Sequence, residues 1–190
     1  MIEVHLYSMS VGVYESSGRY LPINFGVVDI PYGSAFLAES CGRVIHLAPT
    51  EDADKELEYF KSRWQHSKPV ENRAHCQKLT DSIFNSSQKE TKARVLLMGT
   101  DFQLAVWNAL SHIRHGTVAS YSDIAERVGK PNSARFVANA VVENPVAHLI
   151  PCHRVVRANG TLGTYRWGEE SKRSLLEAEG CDLNQLGLAV

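Results

Sequence analysis

The sequence predicts an α/β protein in two parts, an N-terminal α/β unit over residues 1–93 and a mainly helical unit over residues 94–190 that carries a helix-turn-helix. Three observations predict this. Short apolar runs broken by turn residues fill the first half. Apolar residues at helical spacing fill the second. Between them, Ser86-Ser87-Gln88-Lys89-Glu90-Thr91-Lys92 reads as an exposed linker.

Each element follows in order. Val27-Val28-Asp29-Ile30 predicts a strand, and Ala35–Ala38 and Val44–Leu47 flank Ser40-Cys41-Gly42 as a hairpin. Thr50 precedes an acidic turn, and Leu57, Phe60 and Trp64 recur at helical spacing, so the expectation is a helix over 51–66 capped by Thr50. Residues 67–92 are polar around one apolar turn, Leu79–Phe84, and Arg94–Met98 is either a further strand or the end of the linker. Thr100 or Asp101 caps a helix whose stripe is Phe102, Val106, Trp107, Leu110 and Ile113, ended by Gly116. Ser120–Val128 and a helix starting near Asn132 or Ser133 and running to Val141 surround Gly129, the helix-turn-helix pattern with the second helix as its recognition helix. Asn159-Gly160 is a turn, and Glu169–Glu179 predicts a last helix ended by Gly180.

The composition is 44% hydrophobic and 22% charged, which excludes bulk disorder. No apolar run is long enough to span a membrane, and the first residues lack the basic-then-apolar pattern of a secretion signal, so the expectation is a cytoplasmic protein. Four cysteines without a CxxC pair or zinc spacing fit free thiols in a reducing compartment and predict no metal. The net charge of −1 says little, but residues 127–157 hold Arg127, Lys130, Arg135, Arg154 and Arg157 against the single acid Glu143, a local basic surface able to hold phosphates.

Cys152 lies between Pro151 and His153, with Arg154 next. A free thiol is poorly ionised at neutral pH, and neighbouring positive charge and a histidine base favour the thiolate. A carboxylate that orients the histidine would complete a relay of nucleophile, base and orienter, with a water between the adjacent Cys152 and His153 side chains. Taken alone, such a pair more often marks a buried, inert cysteine.

The surrounding residues change that weighting. Phe102-Gln103 with Val106-Trp107, Gly116 to Tyr121, Gly129-Lys130-Pro131, Ala134-Arg135 with Val137, Asn144-Pro145, Ile150 to Val156 and Gly160 to Gly168 stand in one ordered series. Over about residues 94–180 this series resembles the O6-alkylguanine-DNA alkyltransferase (methylated-DNA–protein-cysteine methyltransferase) family, and Tyr165-Arg166-Trp167-Gly168 is most like its Ada-type C-terminal domain. The resemblance implies an RNase H-like N-terminal α/β domain. It implies a single-turnover suicide transferase that moves an alkyl group from guanine O6 to Cys152 without a cofactor. Its partner is double-stranded DNA containing O6-alkylguanine, bound through the minor groove by a monomer, with the target nucleotide flipped out.

The resemblance assigns roles residue by residue. His153 takes the Cys152 proton through a water, Glu179 orients His153, Tyr121 donates to guanine N3, and Asn144 holds the turn before the nucleophile. The carbonyls of Cys152 and Val155 face the guanine amino group, the backbone N–H of Arg166 faces O6, and Tyr165 packs on the base. Arg135 fills the gap left by the extruded base, and Ser122 and Lys130 contact phosphate. Three positions depart from the pattern. Phe136 and Asn139 stand where relatives carry small residues, with Phe136 placed either in the core, or as a wedge at a base step, or as a hindrance to DNA binding. Trp167 stands where some relatives have glycine, which predicts a narrowed pocket that favours methyl over benzyl. Two residues, Cys41 and Cys76, cannot supply the zinc-binding and activator domains of a full Ada-type regulator. The alternatives are a non-catalytic sensor of alkylated DNA, against which the presence of Cys152 argues, a helix-turn-helix transcription regulator, and a cysteine hydrolase.

Overall fold

A computed structural model describes residues 2–84 and 91–181. It is a mixed α/β structure. In chain order the elements are β1 (Ile2–Ser10), α1 (Val11–Ser17), β2 (Asn24–Ile30), β3 (Gly33–Ser40), β4 (Arg43–Pro49), α2 (Ala53–Arg63), β5 (Val70–Glu71), α3 (Arg73–Phe84), β6 (Thr91–Gly99), α4 (Asp101–Ser111), β7 (Ala119–Ser120), α5 (Tyr121–Arg127), α6 (Ala134–Val142), β8 (Val155–Val156) and α7 (Glu169–Ala178). The chain divides into two units, Met1–Thr100 with Pro145–Leu149, and Asp101–Asn144 with Ile150–Val190.

In the first unit a sheet runs in the order β1-β6-β4-β3-β2-β5. β2, β3 and β4 form an antiparallel meander, and β6 joins β4 and β1 in parallel. The hairpin expected at Ser40-Cys41-Gly42 is present. Cys41 and Gly42 have φ of 51° and 72°, the pair of positive values that matches the twist of the flanking strands. β3 and β4 are buried along nearly their whole length, as central strands covered on both faces are. Tyr14, Phe36, Ile45, Phe60, Trp64 and Met98 pack as one core, and the Tyr14 hydroxyl meets Ser67 Oγ at 3.1 Å.

Several expectations are corrected. The helix expected over 51–66 is α2, and its cap is Asp52 rather than Thr50: Asp52 Oδ1 accepts from Lys55 N at 3.0 Å, while the Thr50 hydroxyl bonds the backbone of Asp52. A charged acceptor two residues closer to the orphan N–H groups wins. Arg73–Phe84 is a full helix, not one apolar turn. It buries Cys76, Thr80 and Ile83, a weakly apolar stripe that the polar composition hides. β1 and α1 carried no sequence expectation. Arg94–Met98 lies inside β6, so a division after residue 93 would cut a strand that pairs with β1 over nine residues. The division falls at Thr100 instead, and Pro145–Leu149 returns to the first unit through backbone bonds with Leu47. Of the expected linker, residues 86–90 lie outside the described residues, and Thr91-Lys92 begin β6.

The second unit is mainly helical. The Trp107 indole N–H donates to the Ala140 carbonyl at 2.8 Å, which fixes α4 against α6. α5 starts on a capping box in which Ser120 Oγ accepts from Asp123 N and Asp123 Oδ2 accepts from Ser120 N. β7 and β8 pair in parallel, Ala119 with Val155 and Ser120 with Val156. Among the described residues no helix is long and apolar enough to cross a membrane. Asp52→Ala is expected to lower stability by about 1 kcal/mol through loss of the α2 cap, measured as a shift in the urea midpoint at unchanged slope.

Candidate active site

The β7–β8 pair decides which segments meet. It sets the first residue of α5, Tyr121, beside the strand that follows a single 3-10 turn, Cys152–Arg154. Asn144, fully buried, braces that turn from the end of α6. Its amide donates to the Ile150 carbonyl at 2.9 Å and to Cys152 Sγ at 3.1 Å. The Cys152 sulfur is thus held by a side chain eight residues earlier.

His153 is 2% exposed, and its Nε2 lies 2.9 Å from Glu179 Oε1. Arg154 grips the same carboxylate with Nε on Oε2 and Nη2 on Oε1, each at 2.8 Å, and gives Nη1 to the Ile113 carbonyl at 2.7 Å. Gly116 N adds a contact of 3.4 Å to Oε2. Burial works to raise the Glu179 carboxyl, but the bonds and charges of His153 and Arg154 hold it well below the usual carboxylate range. An ionised carboxylate only accepts, so His153 carries its proton on Nε2 and keeps a lone pair on Nδ1. Nδ1 is buried and has no hydrogen-bond partner. Burial lowers His153 below its ordinary value, against the opposing pull of Glu179, so the ring is a neutral base at physiological pH.

Burial pushes the Cys152 thiol up to about 11, while the Asn144 hydrogen bond and the charge of Lys172 act the other way. Burial also raises the Tyr121 phenol, with Arg157 opposing, so it keeps its proton at neutral pH. Its hydroxyl donates to the Thr164 carbonyl at 3.5 Å. Gly163, at φ 71°, leaves room for that hydroxyl: a Cβ there would lie 2.7 Å from the Tyr121 oxygen. Tyr165 is buried with its hydroxyl unbonded, and Trp167 meets it edge-on at 5.2 Å, with the Arg166 guanidinium 5.4 Å from the centre of the Trp167 ring. Val155 is fully buried on β8.

Hydrogen bonds join Asn144 to Cys152 and His153 to Glu179, and Tyr121 and Tyr165 both sense the charge of Cys152. Val155 and Arg166 lie in the same unit, as do Ser122, half-buried on α5, Lys130, exposed in the connection between helices, and Arg135, exposed on α6. Phe136 is 66% exposed, which excludes the core placement. One residue, Lys172, escaped the sequence reading, and it is fully buried. Arg154 is corrected: expected on a basic surface able to hold phosphates, it is held instead by the Glu179 carboxylate and the Ile113 carbonyl. The signal for Lys172 was its place on the inward stripe of α7, four residues before Leu176 and seven before Glu179. Among the described residues no three His, Cys, Asp or Glu side chains are arranged to hold a metal ion.

Residues 101–181 match the family described as 6-O-methylguanine DNA methyltransferase, DNA binding domain. The methylated-DNA–protein-cysteine methyltransferase of Mycobacterium tuberculosis is 35% identical over 157 residues, 83% of this chain and 92% of that protein. The chain belongs to this family. The bifunctional transcriptional activator/DNA repair enzyme Ada of Escherichia coli is 35% identical over 178 residues, 90% of this chain, and the chain spans about half of that relative's length, 49%. The crystal structure of Mycobacterium tuberculosis OGT in complex with DNA superposes with a TM-score of 0.64 at 32% identity, covering 86% of this chain and 99% of that one. The family's likeness therefore extends over both units, while the matched DNA-binding segment coincides with the unit that holds Cys152.

Glu179 gives a pH test. Its folded carboxyl titrates below the unfolded value of about 4.3, so its contribution is complete above that pH and is lost as pH falls through the folded value. Glu179→Gln is expected to cost about 3 kcal/mol at pH 7, because Arg154 and His153 lose a buried partner. The gap to the unaltered chain should narrow as urea unfolding is repeated from pH 5 down to pH 3; a constant gap would contradict the assignment.

Proposed function

We propose that this chain repairs DNA by flipping O6-alkylguanine out of the duplex and transferring the alkyl group, in one irreversible turnover, to Cys152. The observation that carries this is the buried chain of Cys152, His153 and Glu179, with Asn144 on the sulfur, inside the unit that matches the family's DNA-binding segment. His153 Nδ1, the nitrogen left free by Glu179, takes the thiol proton through a water. The thiolate attacks the alkyl carbon, the S–C bond forms and the C–O6 bond breaks, leaving the electron pair on guanine. Tyr121, protonated in its buried setting, stabilises that anion by donating at N3. The thiol proton is thereby passed to guanine in net terms, and the S-alkyl cysteine is the end state.

The guanine amino group faces the carbonyls of Cys152 and Val155, O6 faces the Arg166 N–H, and Tyr165 packs on the base. The Val155 carbonyl also accepts from Lys172, and a carbonyl has two lone pairs, so both bonds fit. α5 and α6 act as the helix-turn-helix, entering the minor groove as a monomer, with Arg135 in the space of the extruded base and Ser122 and Lys130 on phosphates. Exposure of Arg135 and Lys130 supports this. Phe136 is presented to the same groove. The first unit has the RNase H-like arrangement, for which its antiparallel meander extended by parallel strands speaks.

Incubation with a duplex containing O6-methylguanine, followed by intact and peptide mass measurement, tests the proposal. One methyl per chain on Cys152, saturating, is the expected result, and Cys152→Ser should give none. Lesion-selective binding without transfer would make the chain a sensor, and multiple turnovers on a small substrate a hydrolase. Trp167 against Tyr165 narrows the base pocket, so inactivation by O6-benzylguanine is expected to be at least about tenfold slower than by O6-methylguanine, a difference of about 1.4 kcal/mol in barrier; equal rates would refute the narrowing.

A further inference from the structure

Among the described residues of the second unit, Phe136 is the one large apolar side chain left exposed, at 66%. Water on a phenyl ring is unfavourable, and the packing of α6 does not call for a ring there. The inward stripe of α6 is Val137, Ala140 and Val141, and the Trp107 indole bonds the same stripe at the Ala140 carbonyl. Arg135, Phe136 and Asn139 are exposed on the outward face, with Asn139 one turn on from the other two.

The surroundings of the ring say what covers it. Lys130, Asn132, Arg135 and Asn139 are all exposed. The single acid of residues 127–145, Glu143, lies two turns further on and accepts from Gln103. A protein partner would call for a contiguous apolar patch. A lone aromatic ring among cations and amides suits nucleic acid, in which phosphates take the cations and the bases offer flat apolar faces. The whole of α6 also lies within the matched DNA-binding segment, residues 101–181.

Arg135 and Phe136 are adjacent, so their Cα atoms lie about 3.8 Å apart, close to the rise of about 3.4 Å between stacked bases. Their side chains leave the helix about 100° apart, as 3.6 residues per turn requires, so the two do not share one gap. With Arg135 in the space of the extruded base, Phe136 meets the neighbouring step. The minor groove of B-DNA is only about 6 Å wide, too narrow for a helix with a ring standing off its surface unless the ring passes between bases. Apolar side chains that enter a step in this way unstack and kink the duplex.

Resting on the alkyl-transfer reading, we propose that Phe136 is a wedge that sets the flanking-sequence preference of repair. Its ring enters the base step beside the lesion while Arg135 takes the vacated place. The preferred substrate is therefore a duplex in which the step beside O6-alkylguanine unstacks readily. Pyrimidine–purine steps such as TA do so, and the stiff steps of A-tracts resist.

The test is single-turnover transfer of methyl to Cys152, with the protein in excess, on duplexes of one composition in which the step beside O6-methylguanine is TA or AA, on either side of the lesion. The unaltered chain is expected to react about tenfold faster beside TA, in keeping with the spread of stacking among base steps. Phe136→Ala should lose most of that preference, and Phe136→Leu, which keeps an apolar wedge, should retain part of it. 2-Aminopurine in place of adenine in the step reports unstacking directly, because its fluorescence rises when stacking is lost; the unaltered chain should raise it and Phe136→Ala should not. The side chain is exposed, so both variants should melt with the unaltered chain. The same TA preference and the same fluorescence in Phe136→Ala would overturn the wedge and leave repair standing. Faster transfer by Phe136→Ala on both duplexes would also overturn it, by making the ring a hindrance. A fluorescence rise that depends on Phe136, in a protein that takes no methyl, would keep the wedge and refute the transfer reading.

Discussion

One carboxylate organises the second unit. Glu179 caps the end of α7 and holds His153, both arms of Arg154 and the Gly116 amide. Arg154 then reaches the Ile113 carbonyl at the end of the α4 segment. A single acid thus joins the Cys152 turn, the last helix and the chain entering β7. Four N–H donors from three residues converging on one partly buried carboxylate make its ionised form cheap, and its ionised form dictates which nitrogen of His153 carries the proton.

The rest of the site balances burial against charge. Desolvation works against the charged forms of the thiol, the phenols and the lysine, and it is the largest influence at Cys152, Tyr121, Tyr165 and Lys172, although Lys172, lowered to about 8, keeps its proton at neutral pH. A buried thiol protected from solvent is slow to react with water-borne oxidants and electrophiles, and under the proposed function it is activated by groups already in position, Asn144 on sulfur and the neutral His153. Such preorganised dipoles cost nothing to align when charge develops. Under the proposed single turnover, a thiol that stays dormant until the correct base arrives is an advantage.

The residues proposed to face DNA are of another kind. Arg135, Phe136 and Lys130 are exposed and are supported by the buried face of α6, where Val137, Ala140 and Val141 pack and Trp107 bonds the backbone. Their function depends on where the helix holds them, and not on mutual contacts. This is why a bulky Phe136 is compatible with the fold although small residues are usual there: the substitution changes the surface presented and leaves the packing alone.

By itself the sequence determined the elements with strong periodicity or punctuation: the β3–β4 hairpin from Cys41-Gly42, α4 from its Trp107 stripe, α5 between Ser120 and Gly129, and α7 up to Gly180. It also marked Cys152 and its ordered flanks, since a nucleophile beside a base is written in adjacent residues. Weak or nonlocal signals were not legible. β1 is an edge strand recognised only through β6, α3 buries Cys76 and Thr80 in place of large apolar residues, and Asp52 outcompeted Thr50 for a cap by one hydrogen bond. Most of the electrostatics was decided by tertiary structure alone. That Arg154 shares Glu179 with His153, that Gly163 makes room for the Tyr121 hydroxyl, and that Lys172 turns inward are facts about groups far apart in the chain, and charge and burial act through space, where sequence spacing carries no distance.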